Sequence, residues 1–254
     1  MKILPVLITL GLLLSACRPV SAPSPASGLD CVAVVEGIRG LQTGLRIPDH
    51  FTDETPVRTG TEFDPNQYFS VLTHLSMAPG MTLDYVYHRD GLGAFPVLYA
   101  RPLDQPRFAT EADLVAAGVS TDYLASVQSD GSAQGYFELV ALRIMGGQFY
   151  LDWHANYNDT QIVCNRQQAV AIARSLDGDF GQPMSPLDRL RVRLLNGVEP
   201  AVSIGEQTVE VRLVTFSHWG GFSRLTVSLQ RTFPHSILET HEDALIPYDC
   251  GILF

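Results

Sequence analysis

Residues 208–231 read TVEVRLVTFSHWGGFSRLTVSLQR: two ten-residue runs, 208–217 and 222–231, joined through His218-Trp219-Gly220-Gly221. Runs rich in β-branched and aromatic residues on either side of a glycine-containing turn predict an antiparallel hairpin, because glycine takes the positive φ that a tight reversal requires. Two further hairpins carry the same signature toward the N-terminus. One joins 81–88 to 94–101 through Asp90-Gly91-Leu92-Gly93, and the other joins 136–144 to 148–158 through Gly146-Gly147.

Helix signals lie between and around these hairpins. Asp64-Pro65-Asn66-Gln67 combines an N-cap acceptor, proline at the first helical position and an amide at the capping-box position, predicting a helix over 65–77 that Pro79-Gly80 ends. Thr110 and Asp113 frame a short helix that Gly118 closes, and 120–127 adds a helical turn or two. Asn165 with Gln168 caps a helix over 166–176, with Ala169, Ile172, Ala173 and Leu176 on its apolar face and Gly178 at its end. Segment 187–195 reads two ways. Ser185-Pro186 with Asp188 is a helix start, whereas Leu190, Val192 and Leu194 alternate with arginines as in a strand; the helix is preferred. Ser236 and Glu239 form a capping box for a helix over 237–245, and residues 252–254 are expected as an edge strand. Hairpins separated by helices, without the recurring strand–helix–strand rhythm of parallel units, predict one α+β domain with a mostly antiparallel sheet built from three hairpins with short helices between them.

The N-terminus is of another kind. Met1-Lys2 is a minimal positive start, 3–14 is an apolar run too short to span a bilayer, and Leu14-Ser15-Ala16-Cys17 closes it with small residues before a cysteine. This pattern resembles a bacterial lipoprotein signal peptide with its lipobox. The resemblance implies that Cys17 receives a diacylglyceryl group on sulfur, that cleavage falls between Ala16 and Cys17, and that the protein is held by lipid in the cell envelope with its domain outside the cytoplasm. It covers the anchor alone. The chain then divides into a leader (1–16), a lipid-anchored tether (17–28) whose RPVSAPSPASG stretch has too little apolar content to order itself, and a globular domain (29–254).

Composition excludes several functions. The formal net charge is −10, and Lys2, which leaves with the leader, is the only lysine. So acidic a chain is a poor partner for nucleic acid or an anionic membrane surface. A Walker loop, a Schiff-base lysine and a Ser-x-x-Lys site all need an amine that the domain lacks. Gly-x-Ser-x-Gly, His-Glu-x-x-His, EF-hand and dinucleotide motifs are absent from the sequence. With Cys17 assigned to lipid, Cys31, Cys164 and Cys250 predict one disulfide and one buried thiol. Three pairings are open; the nearness of domain termini favours Cys31–Cys250. No two cysteines sit at ligand spacing and no His-x3-His pair exists, so neither a metal centre nor a cofactor is expected.

Candidate site residues come from the hairpins. On a strand over 148–158, Phe149, Leu151, Trp153, Ala155 and Tyr157 would face the core, leaving Tyr150, Asp152, His154, Asn156 and Asn158 on the other face. Asp152 could orient His154 as an acid or base while Asn156 and Asn158 bind polar groups; a solvated sheet face is the plainer reading. Tyr85 and Tyr87, with His88, Asp90, Tyr99 and Arg101, could form an aromatic platform on the first hairpin, although such pairs more often stabilise sheets. Arg189, Arg191 and Arg193 would line one face of a strand as an anion stripe but scatter on a helix. His74 and His241 read as packing histidines. Trp219, in the third turn, either folds back over the sheet edge or is offered to a partner. These features favour a non-enzymatic binding domain for a small ligand. An envelope assembly or structural lipoprotein with a protein partner, or an extracytoplasmic hydrolase using His154 and Asp152, are the alternatives.

Overall fold

The computed structural model describes residues 28–177 and 181–252. The leader, tether residues 17–27, residues 178–180 and the last two residues lie outside them. The first element is α1 (Cys31–Gln42), started by Asp30, whose carboxylate accepts the Ala33 N–H. Two interior glycines hid it. Gly37 serves packing, since a Cβ there would come within 2.9 Å of the Val71 Cβ.

Asp64 caps a 3-10 helix at Pro65–Ser70, much shorter than the α-helix expected over 65–77. Asn66 explains the shortening: its amide turns away to pair with both backbone groups of Leu83, accepting from N at 3.0 Å and donating to O at 2.9 Å. There follow β1 (Leu75–Met77), then β2 (Met81–Arg89) and β3 (Gly93–Pro102), paired from Met81↔Pro102 to Arg89↔Ala94 as the first hairpin expected. Next comes α2 (Glu111–Ala116), with the reciprocal Thr110–Asp113 capping box, then a 3-10 turn at Tyr123–Ser126 and β4 (Val127–Ser129).

The second hairpin is not formed. Residues 136–144 belong to α3 (Ala133–Met145), which Ser132 caps by accepting the Gly135 N–H. This helix lies between two sheets and buries residues on every side, so it has no amphipathic stripe, and its β-branched and aromatic content imitates a buried strand. Only β5 (Asp152–Trp153) pairs within 148–158, followed by a 3-10 turn at His154–Tyr157.

The C-terminal half holds β6 (Gln161–Val163), α4 (Arg166–Ser175), α5 (Pro186–Arg193), β7 (Ala201–Ile204), β8 (Thr208–Ser217), β9 (Gly221–Gln230) and β10 (Ile237–Ile246). Segment 187–195 is thus helical, and its arginines scatter: Arg189 pairs with Asp177, and Arg191 with Asp188 at 2.9 Å. The capping signal at Ser236 is overridden, because 237–245 pairs along β9 as a strand instead of forming the expected helix. Residues 247–252 form no strand, and the edge strand expected at 252–254 lies, beyond Ile252, outside the described residues.

The architecture is α+β with antiparallel pairing in every sheet. A five-stranded sheet runs β10-β9-β8-β6, with β7 also on β8; β2-β3-β5 and β1-β4 form two smaller ones. One core joins the inner faces of β2 and β8 through α1 and α3, and a second lies between the large sheet and α4 and α5. Outside β2 and β3, Val86 and Tyr99 pack on Leu114 of α2.

The disulfide joins Cys31 to Cys164, with Cα atoms 5.5 Å apart, and ties the start of α1 to the end of β6. This corrects the favoured Cys31–Cys250 pairing. Cys250 is the buried free thiol, held in the second core.

Candidate functional site

The alternation expected over 148–158 fails because Tyr150 (φ 52°) and Trp153 (φ 50°) both take the left-handed region. That conformation is strained for bulky side chains and interrupts the extended backbone at both positions, so faces cannot be assigned by parity. Tyr150 is buried and Trp153 is 59 % exposed, the opposite of the strand reading. Asp152 pairs with Arg89 at 3.1 Å rather than orienting His154. The His154 ring stacks between Trp153 and Tyr157, with centroids 6.0 and 5.7 Å away, and Asn156 is half-buried in the same turn. Of the four expected residues, Asn158 lines a concave surface.

The tyrosine platform is also corrected. Tyr85 and Tyr87 are fully buried: Tyr87 stacks on Phe51 at 4.3 Å, and Tyr85 meets Phe149 edge-on at 5.0 Å. The register sets Tyr99 opposite Asp84, which places it on the other face of the hairpin. Trp219 folds back, donating its indole N–H to Ile252 O at 2.9 Å and packing 4.5 Å from Tyr157.

The concavity beside Asn158 is a groove of about 320 Å³ on the inner face of the large sheet. On β8, Val209, Val211 and Leu213 pack into the shared core, while Thr215 and Ser217, on the same face, run past the end of α3. On β9, Val227 and Leu229 are core, while Ser223 and Leu225 line the groove. Thr240 and Glu242 of β10 form one wall, and Arg143, Asn158 and Thr160 the other. The groove therefore exists because the sheet is longer than the helix that covers it.

Its floor is the informative part. Thr215 and Ser223 are direct cross-strand partners and are only 5 % and 6 % exposed. Neither hydroxyl is hydrogen-bonded to another described residue, and neither is among the fully buried unpartnered side-chain atoms of the described residues, which are Arg58 Nε, Tyr85 OH and Asp159 Oδ1, so both oxygens open to the groove although their residues are nearly buried. Arg143, in the last turn of α3, donates to the Thr240 hydroxyl at 3.3 Å. The turn closing one end is fixed by Asp159, whose carboxylate accepts the His218 backbone N–H at 2.8 Å and also pairs with the His218 ring.

These hydroxyls went unnoticed because the 208–231 hairpin was read for its turn. The available signal was a change along one face, from Val209, Val211 and Leu213 to Thr215 and Ser217.

Other polar clusters are charge-paired, although Arg58 Nε and Tyr85 OH are buried without a hydrogen-bond partner. Arg58 is buried between Glu62 (3.3 Å) and Asp84 (3.1 Å), donates to Tyr85 O and lies 3.6 Å over the Tyr85 ring; Asp84 also holds Arg101 at 3.0 Å. Burial pushes the Glu62 carboxyl up, but hydrogen bonds from the Thr59 backbone, its own backbone, the Thr59 hydroxyl and His50 outweigh it and hold it down at about 2. His74 pairs with Asp130 at 2.8 Å, a bond that raises its pKa, and burial raises the nearby Glu138 carboxyl. Desolvation lowers the His88 pKa, but bonds to Glu111 and Asp90 reverse the direction. His241 pairs with Asp243 on exposed β10.

Among the described residues no group of His, Cys, Asp or Glu is arranged to hold a metal ion, and no helix is long and apolar enough to cross a membrane. No protein-family model, curated protein or solved structure matches this chain.

Proposed function

We propose that this protein is a lipid-anchored, extracytoplasmic binding domain, non-enzymatic, whose small polar ligand lies in the groove over β8, β9 and β10. The observation carrying the reading is the Thr215–Ser223 pair: two hydroxyls on nearly buried residues, adjacent across a ladder, not hydrogen-bonded to other described residues and open to a concavity of ligand size. The Cys31–Cys164 bond supports an oxidising compartment, in keeping with the lipobox-like leader. The Asp152–Arg89 pairing lends no support to a hydrolase built on Asp152 and His154.

A second reading, a protein partner in the envelope, is favoured by Trp153. Its pairing with Gly93 sets it beside the β2–β3 tip, where Leu92 and Phe95 are also exposed.

Calorimetry of the purified protein against amino acids, short peptides and sugars tests the first reading, with Thr215→Val/Ser223→Ala as the control that should lose the ligand. Binding retained by that variant and lost by Trp153→Ala would favour the second. The anchor is tested by Cys17→Ser, which should abolish lipid labelling and leave the leader uncleaved; normal processing and unchanged detergent-phase partitioning would contradict it.

A further inference from the structure

We infer that the groove takes a zwitterion of dipeptide length, its carboxylate held by Arg143 and its ammonium by Glu242. The inference rests on the groove being the ligand site and adds the ligand's charge pattern. Arg143 and Glu242 line the groove with opposite charges, and among the described residues neither is in an ion pair. The Arg143 guanidinium is located by its bond to Thr240, which uses one of its five N–H donors and leaves others for an anion.

The spacing selects the length. Thr240 and Glu242 are two residues apart on one strand, a repeat of roughly 7 Å, and their side chains share the groove face. An extended dipeptide likewise spans about 7 Å from end to end. Between the two charges, the Thr215 and Ser223 hydroxyls and the Asn158 amide offer donors and acceptors suited to a peptide group, and Leu225 and Val227 offer apolar contact to a small side chain. A purely anionic ligand would meet Glu242, and a purely cationic one Arg143, so like-charge repulsion disfavours both.

The test titrates purified protein with four probes: Ala-Ala with free ends, its N-acetyl form, its amide, and glucose, following both heat and the NMR shifts of Thr215, Ser223 and Thr240. Free Ala-Ala should bind and shift all three residues, and blocking either end should weaken it at least tenfold. In Arg143→Gln the free carboxylate should lose its advantage over the amide, and in Glu242→Gln the free amine should lose its advantage over the acetylated form; both side chains are exposed, so folding should be unaffected. Equal binding of blocked and free dipeptides, or shifts with glucose alone, would overturn the zwitterion while leaving the groove as the site. No shift at these residues with any probe would overturn both.

Discussion

Behind β2, the chain buries Arg58, Glu62 and Asp84 and joins them to one another, to Arg101 and to the Tyr85 ring. Beneath the end of α3, it nearly buries Thr215 and Ser223 but leaves their hydroxyls open to the groove, with no hydrogen bond to another described residue. The two regions differ in kind: in the first, opposite charges are paired away from solvent although Arg58 Nε and Tyr85 OH find no hydrogen-bond partner, and in the second, neutral hydroxyls open to a groove. A buried charge left unpaired is prohibitively costly, so pairing of opposite charges is what folding alone requires. A neutral hydroxyl bordering a groove costs much less, and its unused bonding capacity remains for whatever enters. The first region is thus read as structure and the second as recognition.

The largest expected effect is in the charge-paired network. Arg58→Ala leaves Glu62 and Asp84 buried without their shared cation and should lower stability by about 3–5 kcal/mol, measured by urea unfolding. A loss under about 1 kcal/mol would mean that solvent already screens this network and the contrast is overdrawn. Close behind is the disulfide. Replacing Cys31 and Cys164 by Ser should cost about 2–5 kcal/mol, since the bond constrains residues 133 positions apart in the unfolded chain. Thiol counting on the unfolded, unreduced Cys17→Ser variant should find Cys250 alone; three free thiols would rule the bond out.

Acid sharpens the same comparison at smaller scale. The Glu62 carboxyl is depressed to about 2 in the folded state, so its contribution is fully present above the ordinary carboxylate range and is lost as pH falls from roughly 5 toward 2. On the order of 1–2 kcal/mol should disappear over that window after allowance for screening. Glu62→Gln should flatten that part of the pH–stability curve; an unchanged slope would assign acid sensitivity elsewhere.

How far these regions were legible differs for physical reasons. The β8–β9 and β2–β3 hairpins were readable because turn chemistry and strand composition agree there. Helix α3 was not: packed between sheets, it is apolar all round, and periodicity cannot distinguish such a helix from a buried strand. At 148–158 two non-glycine residues with positive φ defeat parity, and nothing local announces them. At β10, cross-strand pairing with β9 outweighs a genuine capping signal. Of the candidate site, Asn158 was found by the wrong route, and Thr215, Ser223, Arg143, Thr240 and Glu242 were missed, because a groove depends on where a helix ends over a sheet and local patterns do not contain that.

The most direct measurement sets unfolding free energy beside ligand affinity for Thr215→Val/Ser223→Ala. Stability should stay within about 0.5 kcal/mol of the parent, because hydroxyls without protein partners contribute little to folding, while binding of the free dipeptide falls at least tenfold. Substantial destabilisation with affinity intact would contradict the account, showing these hydroxyls to be structural and the groove to be incidental.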